Sequence, residues 1–525
     1  MTARVARLAG LAAALAAALP LAALPVPGTA AEPRSAIPWL SQSIELEGTP
    51  PPPSRPKIGS PPGGDTITVT PLGDISRDAV GLLPPERTGF ARDFWGDATA
   101  REVRDLVLDH PDRGVPEARA LFHRLLLAEA DPPRDGGSGE SVLVARVDRL
   151  LEMGALEEAL ALIERAGPET PELFRRWFDA ALLLDRAAEP CAALRENPAL
   201  SPTLPARVFC LARGGDWNAA EITLTLGEQV GSIPGPEQAL LARFLDPELF
   251  ESEAPPPIPE PLTPLDFLMR EAVGLSRPPG QLPLAFLHPD LDPHAPMRMR
   301  IDAGERLVLS GALAPAPLFA AYRAGTPAAS GGVWDRAAAV QALDAALAAD
   351  DPGARAAALR TADEALSARG LRVAFAREYI GPLSRLDPAT LPAEARLRLG
   401  ELLLLAGAVD AARHAAGPEA DPRFAALLAV AGAGTAPAPA GDDLLSAALA
   451  GLAGAPPADD REAQLAGLLD GGRQGEAILA ALALLQAGDE VAPPELRAGL
   501  RTLRAAGQDA SARAIALQTL LAGGH

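Results

Sequence analysis

Residues Ser141–Thr170 read SVLVARVDRLLEMGALEEALALIERAGPET, and this stretch decides the fold. Leu143, Val147, Leu150 and Leu151 recur at i, i+4, i+7 and i+8, one face of a helix. Gly154 interrupts, and Leu156, Ala159, Leu160 and Ile163 then form a second apolar stripe at helical spacing. Gly167-Pro168 stops that helix, and Thr170-Pro171 starts the next as N-cap and first-turn proline. Two short amphipathic helices joined at a one-glycine corner cannot bury their apolar faces alone. The hairpin needs a neighbour on each side, and most of the chain is expected to supply such neighbours.

Composition supports helices. The apolar share, 48%, is carried by Ala and Leu, with few aromatic and β-branched residues. A length of 525 residues allows several cores or one elongated stack. The net charge of −21 argues against nucleic acid and against adhesion to anionic lipid, because both need a basic face. Lys57 is the only lysine, in the Pro- and Gly-rich SRPKIGSPPGG. A P-loop, a kinase-type ATP site and a Schiff-base enzyme each need a positioned lysine, so these classes are excluded.

Residues 1–31 read as a Sec-type secretory signal: Arg4 and Arg7, an apolar run from Leu8 to Val26, then the small-residue GTAA before cleavage. An uncleaved anchor is the rival reading of the same run. No twin-arginine pair is present and no cysteine follows for lipidation. The mature protein is expected to be exported and periplasmic, with no integral membrane segment after cleavage. Residues 32–96 are expected to form a Pro-rich disordered tail with short apolar motifs. Ile37, Trp39, Leu40 and Ile44 make one motif, and Ile67–Val69 through Phe90, Phe94 and Trp95 make another. Either these fold back on the first helices as a cap, or the Trp39 motif docks a partner. A short strand at 66–69 is conceivable, but nothing suggests a sheet.

Helical patterning then fills residues 97–253, 265–430 and 444–525. The proline run at 254–264 reads as a linker or inserted loop, and AGAGTAPAPAGDD at 431–443 as a second soft break. Corners recur within these segments. Leu150/Gly154/Ala159 returns as Leu211/Gly215/Ala220, Leu307/Gly311/Ala316, Leu403/Gly407/Ala412, Leu468/Gly472/Ala477 and Leu503/Gly507/Ala512. Leucine packs inward on the last turn, glycine takes the left-handed corner, and alanine lets the second helix approach.

This corner resembles the turn between paired helices of tetratricopeptide repeats. The glycines are irregularly spaced, and only the interval from 472 to 507 lies near the roughly 34-residue period of those repeats. The resemblance implies an all-α superhelix of antiparallel hairpins, a degenerate tetratricopeptide-like α-solenoid. A second resemblance is to the helix-pair scaffold attached to soluble lytic transglycosylases. ARVFCLARGGDW (206–217) and PAASGGVWDR (327–336) are similar to strings in a family of uncharacterised exported alphaproteobacterial proteins. That likeness implies a compartment and no activity.

Cys191 and Cys210, the only cysteines, fall in neighbouring short helices and suit a structural disulfide; buried reduced thiols are the other reading. His288, Asp290, Asp292 and His294 in HPDLDPH could alternate to one side of an extended segment and hold Zn²⁺ or Ca²⁺, although the prolines also suit an exposed loop with Asx turns. His110, His123, His414 and His525 are scattered. No G-x-S-x-G, no H-E-x-x-H and no transglycosylase glutamate motif is present. Trp177, Trp217 and Trp334 are expected in the core, with a peptide- or glycan-binding face as the alternative.

The expected function is therefore protein–protein interaction in the cell envelope, as a non-catalytic scaffold or adaptor without cofactor. Its partners would be envelope or periplasmic proteins. The alternative is a cell-wall or polysaccharide-directed protein, either glycan-binding or a hydrolase with an unrecognised acidic site. A pair of buried carboxylates with raised pKa values would mark the hydrolase.

Overall fold

A computed structural model describes residues 37–40, 76–111, 113–136, 139–328, 330–417, 421–438 and 440–522. The expected signal segment, Ile44 and the strand at 66–69 lie outside them. Among the described residues the chain is all-α, with one isolated bridge between Leu83 and Ala128.

The helices are α1 (Pro85–Thr88), α2 (Ala100–Asp109), α3 (Pro116–Leu127), α4 (Ser141–Met153), α5 (Leu156–Ala166), α6 (Pro171–Leu183), α7 (Ala188–Glu196) and α8 (Leu204–Arg213). Then come α9 (Trp217–Val230), α10 (Gly235–Leu245), α11 (Pro264–Ala272), α12 (Met297–Ser310), α13 (Pro315–Arg323), α14 (Val333–Ala348), α15 (Pro352–Ser367) and α16 (Arg372–Ser384). The last are α17 (Ala393–Leu405), α18 (Val409–Ala416), α19 (Pro422–Val430), α20 (Asp443–Leu452), α21 (Asp460–Asp470), α22 (Gln474–Leu484), α23 (Pro493–Ala505) and α24 (Asp509–Ala522). Short 3₁₀ turns join several of them, the longest over Leu284–Leu291.

Starts and stops follow local chemistry. Thr170 caps α6 by accepting from the Leu173 amide, and Pro171 supplies the first helical residue, where no donor is needed. Thr99 and Glu102 form a reciprocal capping box on α2. All six corner glycines take positive φ, between 73° and 84°. At each, the amide after the glycine bonds back to the carbonyl of the motif leucine, as in Ala155 to Leu150 (2.8 Å) and Gln508 to Leu503 (2.9 Å). Leu-x₃-Gly is thus a Schellman cap, with leucine three residues inside the helix end. In five cases the next helix begins two residues after the glycine and the motif alanine is buried. After Gly311 the next helix waits until Pro315, and Ala316 is left exposed.

Successive hairpins pack side by side: α4 with α5, α5 with α6, α8 with α9, α14 with α15, α17 with α18, α22 with α23. One apolar core runs from Ile37 to Leu521. The proline run does not divide it: Arg243 donates to the carbonyls of Glu253 and Ala254, and Arg270 donates to Pro256 (3.1 Å), strapping the loop to the body.

The last helix then returns to the first ones. α24 packs against α3 as well as α17, α19, α20 and α23. Gln518 accepts from the Glu117 amide (2.8 Å), and the Ser511 hydroxyl accepts from Arg124 (2.7 Å) while donating to the Glu117 carboxylate (3.0 Å). Buried Arg372 pairs with Asp363 and Glu401 and donates to the Leu521 carbonyl. Phe90, Phe94 and Trp95 fold back into the core, and the segment that carries them is bonded both to residues 131–134 after α3 and to the C-terminal helices. A Cβ on Gly475 of α22 would sit 2.6–2.7 Å from Phe94 and Trp95.

The entering segment 76–83 is clamped to α4. Asp78 accepts from the Leu143 amide, and buried Arg146 donates to the carbonyls of Val80, Leu126 and Ala128. Burial lowers the Arg146 pKa to about 10 and raises that of Asp78.

Candidate docking surface on an outer helix

Helix α9 is where apolar side chains reach solvent. Its hairpin with α8 is built locally: Thr203 caps α8, Asp216 caps α9, and Gly215 makes the corner. Cys191 and Cys210 are joined, Cα atoms 5.1 Å apart, which ties α7 to α8 beneath α9. One face of α9, Ala220, Leu224 and Gly227, is buried on the body. Gly227 is needed there, because a Cβ would lie 2.7 Å from Ile233 and Leu204.

On the opposite face Ile222 is 61% exposed, Leu226 55% and Val230 80%. Their four-residue spacing aligns them as one stripe. Trp217 at the helix start is 52% exposed and Leu249, beyond α10, is 68% exposed. The two other large apolar residues exposed among the described residues, Ile380 and Leu397, are at 36% and 39%. Trp217 therefore departs from the core position expected of it. Its helix is apolar on two faces, and only one meets the body. The available signal was the crowding of Trp, Ile, Leu and Val in WNAAEITLTLGEQV, more than one buried face can use.

The other candidates separate. Trp177 is core, edge-on to Phe174 at 5.6 Å, and Trp334 is half-buried. Ile37, Trp39 and Leu40 are buried in the chain's own body, with Trp39 edge-on to Phe286 at 5.5 Å. The described part of that motif is therefore occupied in cis, with Trp39 against the 3₁₀ turn at 284–291.

HPDLDPH is wound into that turn and the bend after it, so the alternation of an extended segment is lost. His288 donates to the Gly154 carbonyl (2.6 Å) and Asp290 accepts from Arg277 (2.8 Å). Asp292 accepts from the His294 amide (2.6 Å), an Asx turn. No His, Cys, Asp or Glu group among the described residues is arranged to hold a metal ion.

A raised carboxylate pair does occur, at Glu237 and Asp266. Burial and then Asp266 push Glu237 up to about 7, and burial raises Asp266. Asp266 is engaged in the α11 cap, accepting from the Thr263 hydroxyl (2.6 Å). A separate cavity of about 320 Å³ opens where α3, α5, α13 and α16 meet, lined by Arg119, His123, Glu158 and Arg377 among apolar neighbours. Arg119 donates to the Leu309 carbonyl and Arg377 to Glu117, so both guanidiniums tie elements together. No protein-family model, curated protein or solved structure matches this chain.

Proposed function

We propose that the chain is an exported protein–protein interaction scaffold or adaptor of the cell envelope, without catalysis of its own. The observation that carries this reading is the uncovered apolar stripe of α9. Large apolar side chains gathered on one exposed element favour a partner that covers them. The Cys191–Cys210 bond supports an oxidising compartment and holds the underlying hairpin. The signal-like residues 1–31 supply the route.

Affinity capture from envelope extract, with wild type beside Ile222→Asp/Leu226→Asp, tests the reading. Proteins retained by wild type and lost with the variant are the expected result. Equal capture by both moves binding off α9. Retention of cell-wall fragments in place of protein puts the glycan-directed alternative first. That alternative draws on the Glu237–Asp266 pair, and the capping role of Asp266 weighs against it.

A further inference from the structure

The stripe lies in the most one-sidedly charged part of the described chain. Asp216, Glu221 and Glu228 are exposed on or at the cap of α9, and Asp246, Glu248 and Glu251 are exposed around Leu249. α9 carries neither Lys nor Arg. The single basic residue between Asp216 and Glu253 is Arg243, which is buried with its guanidinium on backbone carbonyls. Arg213, just before this stretch, faces Asp185 at 4.0 Å and lies over the Phe209 ring.

From this, and resting on the scaffold reading above, we infer that the occupant of the α9 face is an amphipathic helix of another protein whose apolar stripe is flanked by Lys and Arg. Ile222, Leu226 and Val230 recur every four residues, the ridge that packs into the groove of a second helix. Such a stripe supplies affinity through desolvation, and the carboxylates of the same stretch, Glu221 and Glu228 on α9 itself, choose the sign of the partner and speed encounter. A second copy is disfavoured by the same charges. Pairing two α9 helices sets acidic rim against acidic rim in chains that each carry −21.

The test uses two labelled peptides of about 18 residues, long enough for five helical turns. Both present the same leucine stripe, flanked in one by Lys and Arg and in the other by Glu. Fluorescence anisotropy with the full oxidised chain should show the basic peptide binding at least about tenfold tighter, with the preference shrinking at high salt. Ile222→Asp/Leu226→Asp should abolish that binding while leaving the thermal midpoint unchanged, because both side chains face solvent. Leu397→Asp, an exposed residue elsewhere, should leave binding intact.

Equal binding of the two peptides overturns the inference, as does binding that survives the double variant. A dimer in sedimentation that the double variant dissolves makes a second copy the occupant. A basic peptide that binds tighter after deletion of residues 41–75, which makes the chain less acidic, shows that those residues cover the stripe. Failure here with stripe-dependent envelope capture intact removes only the basic helix. Failure of both removes the scaffold reading too.

Discussion

Glu237 holds its proton over a range in which an unfolded glutamate has lost it, because burial and Asp266 lift its pKa to about 7. The native state therefore binds more protons than the unfolded state between about pH 4.5 and 7. Its contribution to stability is greatest below that window and is lost as pH rises through 7. Glu237→Gln should raise the urea midpoint at pH 8 and leave it nearly unchanged at pH 5. Screening of this half-buried group keeps the gain to about 1 kcal/mol or less.

His110 works in the opposite sense. Burial and then the nearby Arg149 lower its pKa to about 4, and its ring stacks on Phe122 at 4.4 Å. Its contribution is complete above about pH 6.5 and disappears as pH falls toward 4. His110→Gln should flatten the acid limb of a stability–pH curve, measured by urea unfolding between pH 4 and 7. Neither residue stood out in the sequence. A lone histidine or glutamate acquires its pKa from neighbours far along the chain.

The hairpin is the element that the sequence discloses best. Here a leucine, a glycine and the residues between, all within one turn, mark a Schellman cap, so six corners could be located before any packing was known. Further corners at Gly231 and Gly274 escaped the pattern because Gly227 and Arg270 stand where it demanded leucine, and those at Gly370 and Gly432 because it also demanded a later alanine. Asp185 escaped for another reason: it is the one non-glycine residue with positive φ (56°) among those described. The exposed face of α9 was hidden as well, since periodicity places a side chain on a face without saying what that face meets.

Below α9, the Cys191–Cys210 bond closes a loop between residues 19 apart. Cys191→Ser/Cys210→Ser should cost about 3 kcal/mol on a loop-entropy account. Equilibrium unfolding of wild type with and without reductant, beside the double variant, checks the figure. The same change should weaken binding at Ile222 and Leu226, because their helix rests on α8.

Across the whole molecule, closure is the feature that local patterns could not reveal. The repeats implied hairpins packed on their neighbours in sequence, and α24 in addition packs against both α3 and α17. Contacts of this kind join residues hundreds of positions apart, and no window of sequence contains both partners. Replacing Leu517 and Leu521, both buried on α24, by Asp should undo the closure. Hydrogen exchange should then show lost protection in α2 and α3 as well as in the C-terminal helices. Loss confined to α23 and α24 would mean that the first hairpins stand without the last.

Closure also sets a clock. The Glu117 amide and the Gln518 side chain that receives it are 401 residues apart. Synthesis at roughly 5–20 residues per second separates their appearance by about 20–80 s. For that interval the seat of α24 on α3 is made but vacant, and the nascent chain must keep it from the wrong occupant. The unfinished protein thus exposes apolar surface on α3 that the finished one covers.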